Sequence, residues 1–345
     1  AFADFGFPES HSFSFAHIVY ASAWLKVHAP EHFYAAILSS QPMGFYSPAT
    51  LVQDARRHGV TVLGPSVNDS FLDTGVQCAP GVPGEQEYRE GRPDPLPSRQ
   101  VIPLDVDEEL VVRIGLSSVR GLGRAAERIV RVRETGAFSS QADLANRAHL
   151  SASDMECLSM AGALECLGVG RREGTWAAGA LAAPTARQGE WQPFLPGTEV
   201  GTRVPDLPPL THTEQMRADI ETTGLTPGKH PFSYLRGDLP PGVLRAAELG
   251  AHLDGRIVDV AGLVTHRQRP DTDGGVTFLC LEDESGFVNV SVAVGTWNKF
   301  RRIGLESGAL LVRGTLEWGD GAVNVRAFRL APVRLPIQVR SRDFR

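Results

Sequence analysis

Residues 6–48 read GFPESHSFSFAHIVYASAWLKVHAPEHFYAAILSSQPMGFYSP and carry the most specific pattern of the chain. A proline and a serine near the start, Pro8 and Ser10, are typical of the beginning of a helix. Apolar residues then follow the i, i+3, i+4 spacing of a buried helix face. They are Phe15, Ile18, Val19 and Ala23. Pro30 suits the first turn of a second helix, expected over residues 31–39. Periodicity alone therefore predicts a buried helical pair that carries an unusual Ser-His-Ser.

The composition of the chain limits its domain count and the classes of function that it can have. Its 345 residues predict two or three domains, and 42% hydrophobic residues suffice for sizeable cores. The net charge of −6 excludes a uniformly basic nucleic-acid binder, so DNA contacts must come from local patches. The four cysteines form no CxxC pair, and no apolar run of about 18 residues occurs. We therefore expect a cytoplasmic protein with no membrane contact and no metal site.

A second pattern lies at residues 119–129, which read VRGLGRAAERI. Helix, Gly-apolar-Gly turn and helix form the helix-hairpin-helix pattern. The glycines let the backbone turn tightly beside a phosphate, and the N–H groups of the next helix attract that anion. Between residues 111 and 150, seven arginines face three acidic residues. The alternative is an ordinary turn between helices with a solvated basic face. The predicted DNA-binding residues are Arg120, Gly121, Leu122, Gly123, Arg124 and Arg128.

A weaker partner hairpin is predicted within residues 158–167, which read LSMAGALECL. Gly162 would make its turn. Because this stretch has little charge, we expect it to support packing more than DNA contact.

From residue 255 the chain shows period-2 apolar runs that predict five strands. The expected strands are residues 257–263, 276–281, 287–294, 310–316 and 323–330. A helix over 297–303 separates the third from the fourth, which is the order of the OB-fold. Arg267 and Arg269, in the first loop, are predicted to contact DNA, and Phe278 and Phe287 are stacking candidates. The alternative places both rings in the barrel core, with acidic residues 282–284 opposing DNA.

Taken in order, these motifs resemble the bacterial C-family DNA polymerases, the family of the replicative polymerase III alpha subunit. The Ser-His-Ser, the aromatic helix and the Trp-Leu-Lys at residues 24–26 are similar to its fingers. The Gly-Phe-Pro-Glu-Ser-His-Ser and Gln-Pro-Met-Gly-Phe-Tyr-Ser-Pro blocks resemble its error-prone, translesion branch.

The resemblance implies roles for residues that periodicity leaves unexplained. It makes Ser10, His11 and Ser12 candidates for contact with the incoming nucleotide. The catalytic aspartates and two Mg²⁺ ions of the family belong to a palm domain that precedes this region. Asp105 and Asp107 are therefore not assigned to metal binding, and this chain alone is expected to be inactive and to hold no cofactor.

The linker is notable for what it lacks. Replicative relatives carry a sliding-clamp peptide here, whereas residues 188–195 (QGEWQPFL) do not match its spacing. The resemblance then implies recruitment by an inactive Y-family-like polymerase homologue, with the clamp reached only indirectly. Trp191 and Phe194 are candidate partner anchors.

The chain is thus predicted to be a multidomain α+β protein. Its expected segments are the end of the fingers (1–75), an acidic connection (76–110), a tandem helix-hairpin-helix module (111–176), an Ala/Pro/Gly-rich linker (177–212), a connecting segment (213–253), a five-stranded OB-fold (254–335) and a tail (336–345). We interpret it as the C-terminal DNA-binding portion of an error-prone polymerase that acts on primer-template duplex and single-stranded template. The alternatives are a replicative alpha-subunit fragment and a non-catalytic module that binds DNA or recruits proteins.

Overall fold

The computed structural model describes residues 9–44, 46–78, 110–182, 204–270, 274–319, 321–335 and 342–344. The chain divides into two compact units. The first contains residues 1–211 together with 218–227, and the second contains 212–217 together with 228–345. Among the described residues, no helix has both the length and the apolar composition required to cross a membrane.

The first helix, α1 (Glu9–His28), is where the sequence analysis predicted it but not as buried as predicted. Phe15, Ile18 and Val19 are 53%, 59% and 63% exposed, so the expected buried face is not buried among the described residues. The physical reason is that polar and apolar side chains are distributed around all sides of α1, so the helix has no single apolar face that packing can select.

Helix α2 (Pro30–Ser39) lies close to its predicted bounds, and α3 (Pro48–Arg57) follows it. They pack on a small sheet of β1 (Val62–Leu63), β2 (Gly75–Cys78) and β3 (Leu110–Arg113), in the order β1-β3-β2. The apolar run over residues 110–116 predicts a short strand at the position of β3, whereas β1 and β2 are too short to give a period-2 signal.

A polar cluster joins these three helices. Asp54 on α3 accepts hydrogen bonds from Lys26 Nζ at 2.9 Å and from Tyr34 Oη at 2.7 Å. Burial alone would raise the pKa of the Asp54 carboxyl, but the two hydrogen bonds outweigh it and hold that pKa below its ordinary value. Burial, followed by the bond to Asp54, raises the pKa of Tyr34.

Four further helices build the middle of the first unit: α4 (Arg124–Arg133), α5 (Gln141–Ala148), α6 (Ala152–Met160) and α7 (Arg171–Leu181). They bury one apolar core that includes Leu122, Ile129, Leu158 and Leu181. Because α7 ends at Leu181, residues 177–181 belong to this core and not to the linker to which the sequence analysis assigned them.

Helix α8 (His212–Thr223) follows, and a two-residue strand, β4 (Val243–Leu244), leads into a closed barrel. The five barrel strands and one helix are β5 (Ile257–Gln268), β6 (Thr277–Glu282), β7 (Phe287–Val292), α9 (Val294–Glu306), β8 (Ala309–Gly319) and β9 (Ala322–Pro332). A short strand, β10 (Arg342–Phe344), pairs in parallel with the end of β5.

The strand order is that of an OB-fold. Strand β5 pairs with both β6 and β8, β7 runs parallel to β9, and β8 pairs with β9, which closes the ring. Each predicted strand and the predicted helix is present in the expected order. The fold is therefore the predicted α+β combination of a helical region and a C-terminal OB-fold.

Helix α9 packs closely on the barrel through Trp297, which is 4% exposed. The ring lies against Gly304, where an added Cβ would stand 2.6 Å from Trp297 Cζ3. Gly295, in the first turn of the same helix, has no neighbouring atom within 4 Å of such a Cβ.

We predict opposite effects for Gly304→Ala and Gly295→Ala on the stability of the barrel. Alanine gains about 1 kcal/mol over glycine in a helix, but overpacking against Trp297 should cost about 1–3 kcal/mol. Gly304→Ala should therefore lower the thermal unfolding midpoint, and Gly295→Ala should raise it or leave it unchanged. An equal rise for both variants would show that α9 does not pack on the barrel as described.

Candidate nucleic-acid interface

The first hairpin is a compact turn on a buried support. A single 3₁₀ turn (Leu116–Ser118), and not the α-helix that the pattern suggests, precedes it. Gly121 and Gly123 have φ values of +86° and +49°, conformations that L side chains rarely adopt. Between them, Leu122 is 3% exposed and fixes the turn to the helical core.

The hairpin exposes backbone donors. Within the described residues, the N–H groups of Gly121, Gly123 and Arg124 have no acceptor, and all three residues are exposed. They stand at the start of α4, whose N-cap residue Gly123 has no side chain to accept a capping hydrogen bond. Open amides at a helix N-terminus form a site for an anion such as a phosphate.

The seven arginines of residues 111–150 divide into two groups. In the described part of the chain, Arg124 and Arg131 are exposed and make no hydrogen bond or ion pair. They lie seven residues apart on α4, so they share one face of the helix at a spacing of about 10 Å. Together with the open amides they form a small positive surface, which we call the hairpin surface (residues 121–124 and 131).

The other five arginines donate to the protein itself. Arg128 Nε binds the Ala148 carbonyl at 3.1 Å, beside the end of α5. Arg133 Nη1 binds the Val67 carbonyl at 2.8 Å, and Arg113 Nη1 binds the Gly64 carbonyl at 3.0 Å. The remaining two, Arg120 and Arg147, also donate to main-chain carbonyls. The predicted contacts of Arg120 and Arg128 with DNA stay predictions, and these hydrogen bonds do not favour them.

The second hairpin is longer than predicted. Helix α6 ends at Met160 and α7 begins at Arg171, so the connection runs from residue 161 to 170. Gly162 makes a left-handed turn with φ +76°, as expected. Residues 168–171 read Gly-Val-Gly-Arg and repeat the Gly-Leu-Gly-Arg of residues 121–124, a signal that the sequence analysis missed.

Arg267 and Arg269 have different surroundings in the OB-fold. Arg267 is buried, and its Nε and Nη2 donate to the carbonyls of Gly304 and Ser307, both at 2.7 Å, at the end of α9. Arg269 is exposed and makes no hydrogen bond or ion pair within the described residues. Both predicted contacts with DNA stay predictions. Of these two arginines, only Arg269 presents its guanidinium to solvent.

The outer face of the barrel carries the two predicted aromatics. Phe278 and Phe287 are 37% and 38% exposed, so they are not barrel-core residues. The register places Phe278 opposite Ser291, and Ser291 opposite Arg326 on β9. Sequence analysis did not single out Arg326, although its position on the outward side of a period-2 strand is a usable signal.

The acidic turn after β6 does not present a free negative surface. Asp283 is 1% exposed and accepts hydrogen bonds from Arg236 Nη2 at 3.0 Å and from the backbone N–H of Ala246 at 2.8 Å. Glu284 accepts from Arg236 Nε at 2.9 Å. Hydrogen bonding to these carboxylates raises the pKa of Arg236 although burial alone would lower it. The expected repulsion of DNA by these residues is thus largely cancelled.

The nucleotide-facing candidates are only partly described. His11 and Ser12 are exposed on α1, and the His11 ring contacts Phe15 with centroids 4.5 Å apart. The side chain of Ser10 lies outside the described residues, as do Asp105, Asp107, Trp191 and Phe194. The roles given to all of them stay predictions.

Comparison with known proteins agrees with this geometry. The family described as "Helix-hairpin-helix motif" matches residues 59–174, which contain both hairpins. A relative from Mycolicibacterium paratuberculosis, named error-prone DNA polymerase, is 45% identical over the whole chain. Relatives with the same name from Mycobacterium tuberculosis and Nocardia farcinica are 45% and 44% identical, again over the whole chain.

The chain spans about 29% of the length of the first of these relatives and 28% of the other two. Among solved structures, asparaginyl-tRNA synthetase from Pyrococcus horikoshii matches 28% of this chain and 24% of its own, at 22% identity. Its TM-score of 0.24 is too low to carry an argument. The similarity to proteins named error-prone DNA polymerase extends over the whole chain, and it confirms the resemblance to the error-prone branch of the bacterial C-family DNA polymerases.

Proposed function

We propose that this chain is the C-terminal DNA-binding portion of a translesion DNA polymerase. The observation that carries the proposal is the hairpin surface. Three backbone amides without an acceptor among the described residues lie at the start of α4 together with the exposed Arg124, and Arg131 continues the same face in the last turn of that helix. Open amides and an exposed arginine at a helix start are suited to duplex phosphates, which position DNA without reading its sequence.

The full-length protein, in this proposal, extends primers past damaged bases with deoxynucleotides and two Mg²⁺ ions. The metal-binding aspartates would lie in another part of the polypeptide, so this chain contributes DNA binding and not the catalytic step. The name shared by the relatives and their identity over the whole chain support the proposal. Ser10, His11 and Ser12 would then face the incoming nucleotide, as the family resemblance implies.

Arg124→Gln should weaken the binding of primer-template duplex and reduce its salt dependence. Each phosphate contact releases counterions, so loss of one contact should lower the slope of log K against log salt by about 1. Fluorescence anisotropy across a salt series measures both quantities. Arg124→Lys is the matched control, because it keeps the charge and should keep the slope.

Unchanged duplex affinity and slope in Arg124→Gln would remove Arg124 from the interface. A wild-type chain that binds no duplex at low salt would contradict the proposed function itself. In that case the non-catalytic alternative, a module that recruits proteins, would be favoured.

A second candidate role is favoured by the outward aromatics of the OB-fold. Phe278 stands in one row with Ser291 and Arg326, and Arg269 lies in the loop that follows β5. Strands 2 and 3 and this loop are where OB-folds bind oligonucleotides. We therefore propose that this face binds the single-stranded template.

Phe278→Ala should weaken the binding of a single-stranded oligonucleotide by about 1–3 kcal/mol if a base stacks on the ring. Phe278→Tyr keeps the ring and should keep the affinity. Titrations with a labelled oligonucleotide compare the two variants with the wild type. Equal affinity of all three would instead favour protein binding by this face.

We also propose that the polymerase reaches the sliding clamp only through the inactive Y-family-like homologue. The basis is the absence of the clamp-peptide spacing in residues 188–195. A pull-down with purified clamp should recover none of this chain unless the homologue is added. Direct recovery of the chain by the clamp alone would refute this route.

A further inference from the structure

Arg120 stands directly before the first hairpin, yet its donors are directed at another part of the first unit. Its backbone N–H donates to the Thr222 carbonyl at 2.8 Å. Its Nη1 donates to the carbonyls of Ile220 and Glu221 at 3.3 and 3.1 Å. One residue thus makes three hydrogen bonds to the end of α8, a hundred residues further along the chain.

The carbonyls that Arg120 binds lie in the last turn of α8, where the helix itself supplies no N–H donors. Helix α8 ends at Thr223, and the last four carbonyls of a helix lack intrahelical partners. The Glu221 and Thr222 carbonyls both accept hydrogen bonds from Arg120. The guanidinium also carries the charge that the negative end of a helix dipole favours.

Gly224 completes this arrangement. Its φ is +79°, and a Cβ there would stand 2.5 Å from Nη2 of Arg120. Only a residue without a side chain leaves room for the guanidinium at this point. The Arg120 side chain is therefore fixed from both directions, by the carbonyls that it binds and by the glycine that it packs on.

The same stretch also holds the second hairpin. Asp219 is 7% exposed and accepts a hydrogen bond from Arg171 Nη1 at 2.6 Å. Arg171 directly follows Gly170, the last residue of the second hairpin connection. Residues 218–224, here called the positioning segment, thus contact the arginine that flanks each Gly-x-Gly turn.

We propose that the positioning segment fixes the first hairpin relative to the second, and that Arg120 acts on DNA through this segment and not by contact with phosphate. Arg120 is then a positioning residue for the hairpin surface. The inference rests on the duplex grip proposed above and adds the element that holds it in place.

The salt dependence of binding separates positioning from contact. Loss of a phosphate contact lowers the slope of log K against log salt by about 1. Loss of positioning lowers the affinity while the contacts, and hence the slope, are retained. We expect a weakening of about 2- to 30-fold, the range typical of residues that act through another site.

The decisive variant is Gly224→Ala, which displaces the Arg120 guanidinium without a change of charge. Its matched control is Gly242→Ala, since Gly242 has a similar φ of +86° but no atom within 4 Å of an added Cβ. Arg120→Gln and Arg124→Gln complete the set. Primer-template affinity is measured across a salt series by anisotropy, and thermal unfolding confirms that each variant is folded.

The proposal predicts weaker binding with an unchanged slope for Gly224→Ala and Arg120→Gln, and wild-type binding for Gly242→Ala. A slope lowered by about 1 in Arg120→Gln would show direct contact and overturn the proposal. Unchanged affinity in Gly224→Ala would also overturn it. If instead the wild type binds no duplex, or Arg124→Gln has no effect, the proposed duplex grip itself is wrong. This outcome is distinguishable from a failure of the positioning role of Arg120, in which the wild type still binds duplex and Arg124→Gln still weakens binding.

Discussion

The buried ion pair between Arg171 and Asp219 is the contact on which the arrangement of the helical region depends. Its Nη1 and Oδ1 atoms are 2.6 Å apart, and both side chains are almost fully buried. Burial raises the pKa of Asp219, while Arg171 and a hydrogen bond from Thr226 oppose that rise. Removal of one partner from such a pair typically costs about 3–5 kcal/mol, so the segment that carries Asp219 is firmly fixed to α7.

The Arg171–Asp219 ion pair explains why residues 218–227, although remote in sequence, belong to the first unit. Residues 218–227 are remote in sequence from α3 and yet contact it, because Gln53 Nε2 donates to the Thr226 carbonyl at 3.1 Å. Arg120, directly before the first hairpin, binds the same segment. A short piece of chain thus joins α3 and both hairpins, and the two Gly-x-Gly turns are held by main-chain carbonyls and one carboxylate.

The sequence predicted the OB-fold well and the burial of α1 poorly, for one physical reason. Barrel strands have one face in the core and one in solvent, so their period-2 pattern is strong, and all five are found in the expected order. Strand β5 nevertheless extends to Gln268, so Arg267 lies in the strand and not in the first loop where it was expected. Helix α1 has polar and apolar side chains on every side, so its sequence gives no direction for packing. The contacts of residues 218–227 were likewise not predictable. Most of them involve main-chain carbonyls, which carry no residue-specific signal, and one involves the Asp219 carboxylate, 48 residues from Arg171 in sequence.

The same reason limits what arginine counts reveal about the nucleic-acid interface. A guanidinium has five donors in a planar fork, which also suits helix-terminal carbonyls, and Arg120, Arg128 and Arg267 are used in this way. The carboxylates of acidic residues are likewise engaged by donors of the protein, as Asp283 is by Arg236. Among the described residues, the open backbone amides of the hairpin and exposed arginines such as Arg124, Arg131 and Arg269 stay accessible to DNA. A chain with a net charge of −6 can therefore still bind a polyanion, because the field at the hairpin is set by its own residues and not by the total.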